Sequence, residues 1–126
     1  TDVTEAIDQA LETLSKKQKA SGGFENDYGG ADGGTAETSE STAQVIVALC
    51  ALGIDPHTDP RFIKNGRSAI DDLMSYYVEG GSFKHLHELE VDQMATEQAY
   101  YALVAYERFI NGQSPIYHMM DVEKSR

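Results

Sequence analysis

The chain is short of cysteine, of positive charge and of long apolar runs. It has a single cysteine, Cys50, so no internal disulfide can staple it. Cys50 sits inside the apolar run Val45-Ile46-Val47-Ala48-Leu49-Cys50-Ala51-Leu52, where it reads as a small buried apolar residue rather than a nucleophile or redox thiol. Lys and Arg number 10 against 21 Asp and Glu, a formal net charge of −11. So acidic a chain repels phosphate backbones and anionic bilayers, which sets aside nucleic acid and membrane surfaces as partners. No apolar stretch approaches the roughly 20 residues of a spanning helix, so membrane insertion is not expected. Thr1 opens on polar sequence without a basic-then-apolar leader, from which no signal peptide is expected. No segment alternates apolar and polar residues with the period of a half-buried strand.

What is present is enough for a core. The 126 residues are 40% hydrophobic, 9% aromatic and 25% charged, which excludes wholesale disorder and fits one domain. Four helical segments are expected. The first, about 2–19, carries Val3, Ile7, Leu11 and Leu14 on one stripe, with Asp2 as its cap and Lys16, Lys17 and Lys19 at its negative end. The second, about 39–52, is apolar on every side, which predicts a helix surrounded by protein. The third follows Asp59-Pro60, with Ile70, Leu73, Met74 and Tyr77 on one face and Gly66 weakening its middle. The fourth, about 92–111, is again apolar or aromatic all round from Ala99 to Tyr106. The order is thus amphipathic, buried, amphipathic, buried, and the fold class expected is all-α. The tail, 113–126, shows no clear pattern and is expected to be partly mobile.

An internal repeat runs through this pattern. Ser41-Thr42-Ala43-Gln44-Val45-Ile46-Val47-Ala48-Leu49 aligns with Ala95-Thr96-Glu97-Gln98-Ala99-Tyr100-Tyr101-Ala102-Leu103 at an offset of 54 residues. A glycine-aromatic element precedes each copy, Gly22-Gly23-Phe24 and Gly80-Gly81-Ser82-Phe83. Such recurrence is the signature of stacked helix pairs. The domain is expected over 1–112, with repeat one at about 2–54 and repeat two at about 60–111.

These residues, with 10–18, Glu40-Ser41-Thr42-Ala43-Gln44-Val45 and Asp92-Gln93-Met94-Ala95-Thr96-Glu97-Gln98-Ala99, resemble the prenyltransferase and squalene-cyclase repeat superfamily. The likeness is greatest to a bacterial branch of surface or secreted proteins. It covers roughly 3–110. It implies helix-pair repeats in a partial α/α toroid, with the first and third helices outer and the second and fourth inner. It also implies an extracellular or cell-surface location. The superfamily's catalytic devices are missing: there is no Asp-x-Asp-Asp cluster, no zinc set of Asp, Cys and His, and no Gly-Cys-Gly-Glu-Gln element. No cofactor is therefore expected, and catalysis is not favoured.

Other candidate chemistry is weak. His85 and His87, with Glu90 or Asp92, have ligand-type side chains, but two histidines one residue apart in a loop read as solvated, so no metal is assigned. The acidic glycine-rich loop 25–34 lacks EF-hand spacing, because Gly29 and Ala31 fall where side-chain oxygens are needed. No Lys-Ser or Lys-Thr follows its glycines, as a phosphate loop requires.

The polar starts of the second and fourth helices carry the remaining candidates. Glu40, Gln44, Glu97 and Gln98 are expected at one rim of a ligand cavity, with Tyr100 and Tyr101 one turn deeper. Capping and loop-tying compete as roles for Thr42, Gln44, Thr96 and Gln98. A buried Glu97 would suit proton donation. The expected function is non-catalytic binding of a small molecule or partner protein. Two alternatives stand beside it: a cyclase-like fragment whose catalytic residues lie elsewhere, and a structural module that self-associates as a homo-oligomer or joins further repeats.

Overall fold

A computed structural model describes residues 2–113. The expected tail, 113–126, lies outside the described residues from 114 onward. Among the described residues four α-helices occur in the order α1 (Val3–Lys17), α2 (Ser39–Ala51), α3 (Ala69–Met74) and α4 (Gln93–Ile110). Between them lie three two-stranded antiparallel sheets: β1 (Glu25–Asn26) with β2 (Ala36–Glu37), β3 (Ile63–Lys64) with β4 (Arg67–Ser68), and β5 (Tyr77–Val78) with β6 (Ser82–Phe83).

The chain is therefore mixed α and β, and the all-α reading is corrected, as is the partial toroid of two outer/inner helix pairs. The loop after α1 carries the β1–β2 pair, and the larger difference falls between residues 60 and 83. The expected third helix shrinks to six residues, preceded by a single 3-10 turn (Pro60–Phe62) and flanked by hairpins. Asn65-Gly66 explains it. Both residues have positive φ, 54° and 76°, so they form the tight turn of the β3–β4 hairpin rather than a weak point in a helix. Ser68 then starts α3 with a full capping box, its side chain accepting from Asp71 N–H while Asp71 accepts from Ser68 N–H.

The other helices follow their local signals. Asp2 Oδ1 accepts from Glu5 N–H at 2.8 Å, capping α1. Thr38 and Asp92 cap α2 and α4, each accepting three residues on. After α2, Ile54 N–H donates to the Leu49 carbonyl at 2.9 Å and Gly53 takes φ 78°, closing the helix as a glycine cap does.

The two glycine-aromatic elements make the same join. Phe24 N–H donates to Thr42 Oγ1 at 3.3 Å, and Thr38 N–H donates to the Phe24 carbonyl. Phe83 N–H donates to Thr96 Oγ1 at 2.9 Å, and Asp92 N–H donates to the Phe83 carbonyl. Each short strand is thereby held against the head of the helix that follows it.

The core is one cluster in which Ile46, Leu49, Phe62, Leu73, Tyr76 and Phe83 are wholly buried. α4 packs chiefly on α2 and presents Ala95, Ala99, Ala102 and Ala105 as its buried row. Neither α2 nor α4 is enclosed all round, as their composition led one to expect. Gln44 and Ala48 of α2 and Leu52 at its end are exposed, and so are Met94, Tyr100, Tyr101 and Val104 of α4. The fully buried row of α4 is small, Leu103, Tyr106 and Phe109 pack half-buried beside it, and Met94, Tyr100, Tyr101 and Val104 face outward.

Candidate functional site

Two open clefts flank α2. The smaller, about 400 Å³, lies between α2 and α4. Ala43 and Val47 of α2 and Tyr101 of α4 line it, and Gln44, Glu97 and Gln98 contribute its polar groups. The helix geometry accounts for the grouping. Residues 43, 44 and 47 lie on one side of α2, and 97, 98 and 101 on one side of α4, at spacings of three and four. Gln93 Nε2 donates to Glu97 Oε1 at 3.3 Å, which holds that carboxylate near the head of α4.

Four of the six site residues expected from sequence meet in this cleft: Gln44, Glu97, Gln98 and Tyr101. Two do not. Glu40 instead receives His85, whose Nδ1–H donates to both carboxylate oxygens at 2.8 Å. Tyr100 lies edge-on to Phe83, its ring centroid 5.6 Å away. Glu97 is exposed, so the burial that proton donation required is absent. Sequence reading missed Ala43 and Val47 because both looked like core; only the packing of α4 shows them at the edge of a cleft.

The larger cleft, about 810 Å³, separates α1 from α2. Leu14 and Lys17 form one wall, Ser41, Val45 and Ala48 the other, with Phe24 and the loop to Tyr28 at one end. No pattern in the sequence marked it, because it exists only where α1 leans on the Pro60–Phe62 turn and leaves α2 open.

The two histidines of the 85–92 segment diverge. His85 Nε2–H donates to the Gly29 carbonyl at 2.7 Å, so both ring nitrogens face acceptors. A neutral imidazole carries one N–H and satisfies only one of these bonds; the imidazolium satisfies both. Burial works against its charge, but the Glu40 bond, the Gly29 bond and the nearby Glu40 and Asp92 charges outweigh burial and raise its pKa above the usual value. His87 stacks on Tyr76 at 3.9 Å and donates from Nε2 to Ser75 Oγ at 2.8 Å. Among the described residues, no three or more His, Cys, Asp or Glu are grouped to hold a metal ion. No helix among them is long and apolar enough to cross a membrane.

A buried carboxyl went unforeseen. Asp72 is 1% exposed and accepts from Thr42 Oγ1 at 2.9 Å. Burial pushes its pKa up, with the Thr42 bond opposing. Gly23 packs directly on it, since a Cβ there would lie 2.4 Å from Asp72 Oδ2. Cys50 is also buried, and desolvation lifts its thiol to about 12, which leaves it protonated and unreactive.

No family model matches the chain, and neither a curated protein nor a solved structure does.

Proposed function

We propose that this chain is a non-catalytic binding domain whose ligand site is the cleft between α2 and α4. The observation that carries the reading is the convergence of Gln44, Glu97, Gln98 and Tyr101 around the apolar side chains of Ala43 and Val47. A mainly apolar concavity with a few placed polar groups is the usual form of a small-molecule site. One carboxylate and two amides select an apolar body bearing an amine, and the net charge of −11 favours a cation over an anion. A side chain of a partner protein with the same chemistry fits as well. The resemblance to the prenyltransferase and squalene-cyclase repeat superfamily supports binding without catalysis, and with it a place at a bacterial cell surface or outside the cell.

The test is a titration followed by amide chemical shifts, with phenethylamine and phenylacetate as matched probes of opposite charge. The amine is expected to move resonances of residues 43–47 and 97–101. Glu97→Gln is expected to weaken that binding about tenfold, or ~1.4 kcal/mol. Equal response to both probes, or shifts that avoid the cleft, would overturn the reading.

A further inference from the structure

The repeat offset of 54 residues makes each position of α2 equivalent to one of α4. The covered row of α4, Ala95, Ala99, Ala102 and Ala105, is equivalent to Ser41, Val45, Ala48 and Ala51 of α2. In α2 that row is not covered: Ser41, Val45 and Ala48 line the open trough beside α1. The converse also holds. Ala43, Ile46 and Cys50, on the covered side of α2, are equivalent to Glu97, Tyr100 and Val104 of α4. Those α4 residues are exposed.

The molecule therefore uses a pair of surfaces once, where α4 meets α2, and leaves the equivalent of each partner surface free at its two ends. From this we infer that a second copy of this chain docks head to tail, the outer face of α4 entering the trough between α1 and α2 of the next copy. Size agrees with this. The trough holds about 810 Å³ and its α2 wall is built of Ser41, Val45 and Ala48 with Gln44 at one side, while the α4 face offers Tyr101 and Val104. Charge is arranged for it at one wall: Lys19 is paired with Glu25 at 2.9 Å and Asp27 lies at the loop end, while Lys17 stands on the α1 wall, opposite in sign to Glu97 on the face that enters. Such a contact is heterologous, so successive copies extend in a row unless the rotation closes a ring. The net charge of −11 on each copy opposes association, and salt screens that repulsion.

The docking goes beyond the ligand reading; its α4 face shares Glu97 and Tyr101 with the ligand cleft, so the variants are placed at Val104 and Ala48, which do not line that cleft. Solution mass is measured by sedimentation velocity across a dilution series, at low and high salt. The wild-type chain is expected to grow in mass with concentration, and more so at high salt. Val104→Arg blocks the α4 face and Ala48→Arg blocks the trough; both positions are exposed. Each variant alone is expected to stay monomeric. Mixed in equal amounts, they retain one intact surface of each kind and are expected to form a one-to-one dimer and nothing larger. Far-UV circular dichroism checks the fold of both, and Tyr100→Arg, exposed on the same face and outside the ligand cleft, replaces Val104→Arg if the latter unfolds. A wild-type chain that stays monomeric at its solubility limit overturns the docking. So does a single variant that still associates as the wild type does, because that contact would use other surfaces.

Discussion

Asp72 shows how one buried carboxyl disciplines its neighbours. Its carboxyl is locked by Thr42 on one side and by the bare α-carbon of Gly23 on the other. A methyl group at position 23 would meet Asp72 Cγ at 2.6 Å, and the carboxyl cannot swing away without giving up its one hydrogen bond. Gly23→Ala is therefore expected to cost about 1–3 kcal/mol, as overpacking does. The denaturation midpoint in urea measures it, and a loss within error of zero would show that Asp72 relaxes freely. Nothing in the sequence marked this residue. Asp71 and Asp72 are adjacent in one short helix, yet Asp71 serves the capping box at the surface and Asp72 points into the core. Only tertiary packing separates two residues so alike.

Among the elements, the long helices were legible and the short ones were not. The expected first, second and fourth helices fall within two residues of α1, α2 and α4, because caps at Asp2 and Asp92 and a glycine after α2 mark their ends. The sheets went unread because two-residue strands are too short to display alternation. Yet Asn65-Gly66 is a strong hairpin signal, and the apolar stripe from Ile70 to Tyr77 drew attention from it. At the candidate site, Gln44 and Gln98 were legible through the repeat, whereas Glu40 was claimed by a histidine 45 residues away. α1 also shows how little can hold a helix. Leu11 is its one buried side chain, helped by partly buried Ile7 and Leu14 and by the Ser15 hydroxyl, which donates to the Arg61 carbonyl. Leu11→Ala is expected to cost about 2–4 kcal/mol. Hydrogen exchange should then accelerate across α1 while α2 and α4 stay protected; a uniform acceleration would mean that α1 is integral to the cooperative core.

For the molecule as a whole, the question is what joins the two halves of the repeat. Besides the α2–α4 contact, the segment at His85 does so. Ser39 N–H donates to the His85 carbonyl at 3.1 Å, Ser39 Oγ donates to the Lys84 carbonyl at 2.6 Å, and the His85 ring ties Glu40 to Gly29. The raised pKa of His85 fixes the sign of its pH dependence. Its contribution is complete below the ordinary histidine value of 6.5 and is lost as pH rises through the higher folded value. Stability should accordingly decline as pH rises from 6.5 through the higher folded value, and His85→Gln should flatten that decline. Urea midpoints for both proteins across this range provide the check, and parallel profiles would show that the ring does not couple the halves.

The alanine row of α4 bears on which changes the helix can accept. At Ala95, Ala99, Ala102 and Ala105 the only smaller residue is glycine, which weakens a helix, and every larger one drives α4 off α2. Conversely, within a single copy, Met94 and Val104 touch little and place few limits on what replaces them. Hydrophobic bulk, the customary guide to immutable positions, thus misleads along these two rows: the alanines tolerate less change than the larger Met94 and Val104, although Leu103, Tyr106 and Phe109 also pack on the core.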